Sequence, residues 1–108
     1  MAGFFEQAAI NATPPGTGGK ITISTASSTA GSGNFDAYKG RWIWLKSDVK
    51  TYVRAGTSLV GAATAGDMYL TADTDYFWRV PKDGTLSYLR AKGTGSGTLF
   101  WRTSSGPV

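Results

Sequence analysis

Large apolar side chains in this chain arrive in short runs of about six residues, and clusters of Gly, Pro, Ser, Thr or Asp cut them off at roughly ten-residue intervals. No run keeps a 3.6-residue period long enough to make an amphipathic helix. A chain punctuated this way can bury its apolar groups only as many short strands joined by tight connections. The runs are "KITIST" (20–25), "RWIWLKS" (41–47), "KTYVRAG" (50–56), "DMYLT" (67–71), "DYFWRV" (75–80), "LSYLRAK" (86–92) and "TLFWRT" (98–103), with 59–64 a weaker candidate. Seven or eight such strands predict an all-β fold, a small antiparallel sandwich or barrel. The 108 residues suffice for one core and leave no room for a second. Segment 41–47 predicts a return through Ser47, Asp48 and Val49 into 50–56 beside it.

Residues 1–19 read differently. Phe4, Phe5 and Ile10 are followed by "NATPPGTGG", whose prolines and glycines forbid regular helix or interior strand. This is an extended N-terminal arm with an apolar anchor, and the β domain spans 20–108. "MAGFFEQAAI" has no basic leader, and Glu6 and Gln7 interrupt its apolar run, which argues against a secretory signal. No stretch approaches the length of a membrane helix.

The residue inventory narrows the chemistry. With no Cys and no His, thiolate nucleophiles, disulfides, the usual serine triads and zinc fingers are excluded, and the expectation is a protein without catalytic residues. The formal charge of +4, eleven Lys and Arg against seven acids, is a mild bias toward anionic surfaces. Asp67, Asp73 and Asp75 lie close in sequence, but the spacing lacks the late Glu of a calcium loop and suits turn chemistry better. No metal or cofactor is expected. Met68 reads as core packing or an edge filler.

The glycine run in "LRAKGTGSGTLFWRT" (89–103) raises the question of a phosphate cradle. A P-loop needs Gly-x-x-x-x-Gly-Lys-Ser/Thr ahead of a helix. Here a strand pattern follows Gly93, Gly95 and Gly97, and in "GTGGKIT" Ile21 stands where the hydroxyl residue belongs. The run therefore predicts a hairpin connection, with glycine supplying positive φ angles.

Aromatic and basic residues recur side by side, as in Trp42 with Arg41, Trp78 with Arg79 and Trp101 with Arg102. In single-strand binding proteins such residues share a groove. Neighbours on one strand point to opposite faces, however, so these pairs cannot share one. The pattern favours an aromatic core with basic rims, and no nucleic-acid partner is expected. Both faces of 41–47 nonetheless carry large apolar groups: Ile43 and Leu45 on one, Trp42 and Trp44 on the other. A small sandwich buries one face of each sheet, so the second set calls for cover from another chain. Trp42, Trp44, Trp78 and Trp101, with Phe4, Phe5 and Ile10 of the arm, are the expected protein-interface residues.

The stretch "TYVRAGTSLVGAATAGDMYLTADTDYFWRVPKDGTLSYLRAKGTGSGTLFWRTSSG" resembles small virion proteins of tailed bacteriophages. The likeness lies in a "VRAGTS" segment, a "DMYL" segment, an aromatic strand ending in "VP", and a closing "LRAKGTGSGTL". It implies a capsid decoration or cement protein, a β domain that sits on the outside of the head as an oligomer, often a homotrimer. Such a protein braces the subunits of the major capsid protein. A tail or fibre component, or a single-stranded nucleic-acid binding barrel, are the alternatives.

Overall fold

The computed structural model describes residues 18–104 and 106, so the expected anchors Phe4, Phe5 and Ile10 lie outside the described residues. Among the described residues, seven strands form two antiparallel sheets: β1 (Gly18–Ile23), β2 (Trp42–Ser47), β3 (Thr51–Gly56), β4 (Met68–Leu70), β5 (Tyr76–Arg79), β6 (Tyr88–Gly93) and β7 (Gly97–Ser104). The four-stranded sheet runs β1-β7-β2-β5 and the three-stranded sheet β4-β3-β6. The fold is a sandwich. β1 begins two residues earlier than the sequence suggested, because Gly18 and Gly19 already pair with Arg102 and Trp101 of β7.

The period of two decides what each strand buries. Ile21 and Ile23 of β1, Ile43 and Leu45 of β2, and Leu99 of β7 point inward from the larger sheet, each at most 3% exposed. Val53, Leu70, Leu89 and Ala91 answer from the smaller one. Full burial of a side chain of this size stabilises the fold by roughly 1.5–3 kcal/mol. Between the sheets sits Phe35, wholly buried although it belongs to the connection after β1. Its ring meets Trp78 at 5.4 Å and Trp101 at 4.9 Å, both edge to face.

That connection does more than link strands. Gly93 N–H donates to Ser24 O and Ser28 N–H to Ala91 O, while the Ala91 N–H is taken by Ser28 Oγ. Segment 24–34 thus covers the outer edge of β6, satisfying backbone groups that an open edge would leave bare. Two short 3-10 turns, Ala30–Gly33 and Asp36–Tyr38, bring Phe35 under the sheets.

Two expected hairpins are instead crossings between sheets. β2 and β3 belong to different sheets, as do β6 and β7. At 47–51 the reason is polar: Ser47 and Thr51 are both fully buried, their hydroxyls lie 2.7 Å apart, and Thr51 Oγ1 donates to Val49 O. Inward-facing hydroxyls paired at the end of the core let the chain bend from one sheet to the other. At 93–97 the glycines do not supply positive φ; in the described residues that is found at Gly40, Gly84 and Gly106. A Cβ on Gly93 would lie 2.6 Å from Ile23 Cγ2, and one on Gly97 would run into Val49 and lie 2.6 Å from Asp48 Oδ1. Close approach of the two crossings, not backbone handedness, demands glycine there. The weak candidate 59–64 is not a strand.

Candidate functional site

Among the described residues, two apolar surfaces outside the core form concave sites, and they differ in charge. The first lies on the outer face of the four-stranded sheet. Register places Arg102 and Phe77 on either side of Trp44, Arg79 beside Trp42, and Lys20 and Lys46 on either side of Phe100. Side chains directly opposite on neighbouring strands share a face. Four aromatic rings and four cations are therefore interleaved on one flat surface. Trp42 and Trp44 are half-buried there, as alternation along β2 implies, while Phe100 is 38% exposed.

Local contacts fix this surface. Trp44 Nε1 donates to Asp75 Oδ1 at 2.7 Å, the guanidinium of Arg79 sits over the Trp42 ring 6.0 Å from its centroid, and Gly106 packs against that ring. Among the described residues, Lys20, Lys46, Arg79 and Arg102 form no ion pair with an acid. At the β1 end a groove of about 590 Å³ is lined by Gly18, Gly19, Lys20, Trp44, Phe100, Trp101 and Arg102. Both β1 glycines are closely approached: a Cβ on the outward Gly18 would lie 2.9 Å from Trp101 O, and one on Gly19, which pairs with the inward-facing Trp101, would stand 3.0 Å from its Nε1.

The second surface is the corner where edge strands β4 and β5 face each other across the sandwich. Here the sheets do not close, leaving an apolar cleft of about 460 Å³ lined by Leu45, Val53, Ala55, Met68, Tyr69, Leu70, Tyr76, Phe77, Trp78 and Leu89. No charged side chain contributes to it. Met68 pairs with the inward-facing Val53 and shares its face, yet it is 69% exposed. It fills an edge that nothing in the described residues covers.

Two further basic residues, Arg54 and Arg90, serve the fold. Arg54 Nε donates to Asp67 Oδ1 at 3.0 Å, and Arg90 donates to Ser28 O and Val60 O, stapling two loops over the three-stranded sheet. The carboxyl of Asp67 is held below its ordinary value, chiefly by the backbone N–H of Thr64 and also by Arg54, against the opposing effect of its partial burial. The carboxylates of Asp67 and Asp75 are thus spent on local structure, while the Asp73 backbone N–H bonds Ser47 O. In the described residues no group of three His, Cys, Asp or Glu is placed to hold a metal, and no helix is long and apolar enough to cross a membrane.

Of the four tryptophans expected at an interface, Trp42 and Trp44 lie on the outer face. Trp78 and Trp101 do not: both pack inward against the core and Phe35. They pair with Ile43 and Leu45, which fixes them on the inner face. Sequence reasoning also missed the joining of aromatic and basic residues. Adjacent residues do part to opposite faces, but Arg79 and Arg102 are returned to Trp42 and Trp44 by the neighbouring strand. Only the register reveals this.

Comparison of the chain with protein-family models, with curated proteins and with solved structures finds no match in any of the three.

Proposed function

We propose that this chain is a structural virion protein, a decoration module that binds the outside of a phage head and braces neighbouring subunits of the major capsid protein. The observation that supports this reading is the open corner between β4 and β5. An uncharged cleft of about 460 Å³, with an inward-facing Met68 left 69% exposed, is a part of the core that the described residues leave open. The interior of a protein is close-packed, and large apolar surfaces on small domains mark contacts with other chains. A cleft without charges suits an apolar protein segment. The sequence resemblance implies a capsid subunit as that protein and a homo-oligomer on the shell, a trimer being the usual form.

Work of this kind needs no reaction. Each copy contributes apolar burial worth roughly 25 cal/mol per Å² before ordering costs, and repetition over a shell multiplies small gains. Imaging phage particles assembled with and without the chain tests the reading. Added density at regular sites on the head exterior is the expected result. Identical particles, or density confined to the tail, would contradict it.

A further inference from the structure

The outer face of the four-stranded sheet is built unlike the corner, and the proposed attachment to a shell does not use it. Its aromatic groups could have been a simple apolar patch. Instead three of the four outward aromatics have a cation directly across from them: Arg102 next to Trp44, Arg79 next to Trp42, and Lys20 and Lys46 next to Phe100. The acids nearest this face among the described residues, Asp75 and Asp48, accept the Trp44 indole N–H at 2.7 Å and the Thr98 N–H at 2.8 Å. Like charges spread over one face repel a second copy laid against it, so the face is not matched to itself. It is matched to an anion that also offers flat apolar rings.

The groove narrows the choice. Two glycines form its floor, Trp44 and Phe100 stand within it, and Lys20 and Arg102 flank it. A planar ring can enter over Gly18, an outward-facing position of β1 that carries no side chain, and the cations Lys20 and Arg102 stand where a charged backbone would leave. From this geometry we infer that the groove binds single-stranded nucleic acid, a base lying against Phe100 and Trp44 while phosphates meet Lys20, Arg102 and Lys46. A duplex hides its base faces in the stack and gives this flat surface only phosphates. An acidic protein surface would supply charge but no ring for the glycine-floored groove.

The test uses the whole chain and a fluorescent oligothymidylate of about 20 nucleotides, within the range of single-strand site sizes when several contacts are combined. Saturable binding is expected, with affinity falling as salt rises at a log–log slope of about −2, three phosphate contacts at about 0.7 each. Phe100→Ala, at an exposed position, should weaken binding at least about fivefold through lost stacking. Lys20→Ser should weaken it and make the slope shallower by about 0.7. Met68→Asp, in the other surface, should change nothing, so failure here is separable from failure of the shell reading. Absence of saturable binding at about 50 mM salt overturns the inference. So does equal affinity for an abasic strand of the same length, or for poly-L-glutamate, either of which would show that charge alone is recognised.

Discussion

The ring of Phe35 meets the indole of Trp101 edge to face, with centroids 4.9 Å apart and planes at 80°. Phe35 makes the same kind of contact with Trp78 at 5.4 Å. One loop residue thus joins two strands of the larger sheet from inside the sandwich. Edge-to-face pairs contribute about 0.5–1.5 kcal/mol beyond the area they bury. Phe35→Ala should therefore cost roughly 3–5 kcal/mol, read from denaturant unfolding. A loss below about 1 kcal/mol, the scale of a surface change, would show that the loop does not complete the core.

Alternation along β2 separates folding from binding. Leu45→Ala, at a position 3% exposed, should destabilise the fold by roughly 2–5 kcal/mol. Trp44→Ala should cost less, because its ring lies on the outer face and loses one hydrogen bond, to Asp75, worth about 0.5–1.5 kcal/mol in addition to partial burial. Unfolding curves of the two variants side by side decide the point. Equal losses would mean that both faces of β2 are internal.

The positions of the strands were legible because aromatic and β-branched runs such as 41–47 and 98–103 are bounded by turn residues. Their assignment to sheets was not. Ser47–Thr51 and Gly93–Gly97 resemble hairpin connections locally, and only the buried hydroxyl pair and the crowding around the two glycines show that each crosses between layers. Phe35 was invisible for a related reason: it stands alone among polar residues, and no periodicity marks a plug delivered by a loop. The candidate surfaces divide the same way. Alternation alone put Trp42 and Trp44 on the face opposite Ile43 and Leu45, but which of the two faces is outward came from burial, and Trp78 and Trp101 needed the register against Ile43 and Leu45.

The crossing at 93–97 makes its own prediction. Gly97→Ala would drive a methyl group into Val49 and to within 2.6 Å of Asp48 Oδ1, whose oxygen also accepts the Thr98 N–H at 2.8 Å. A loss of about 1–3 kcal/mol is expected, as for other overpacked sites. Gly95→Ala meets nothing within 4 Å and should be nearly neutral, within about 0.5 kcal/mol. If the two substitutions behave alike in thermal unfolding, close approach is not why glycine stands at position 97.

Acid should expose the role of Asp67. Its carboxyl is held below the ordinary value of 3.8, so the folded chain resists protonating it while the unfolded chain does not. The stability it contributes is complete above that ordinary value and fades as pH falls through the lowered folded value. Asp67→Asn should remove that share of the acid sensitivity and free the loop that Arg54 staples. Unfolding followed from pH 7 into the acid range reads the difference between the two chains. Parallel profiles would mean that Asp67 carries no such linkage.

The most direct test of the proposed attachment is a pelleting assay with phage heads that lack the chain, comparing the parent with Met68→Asp. Met68 is 69% exposed, so the fold should survive with a stability change within about 0.5 kcal/mol. Aspartate in an uncharged cleft would leave a buried, unpaired charge whenever a partner closed over it. The account predicts that the parent pellets with the heads and the folded variant stays in the supernatant. Equal pelleting of both, or of neither, would contradict it.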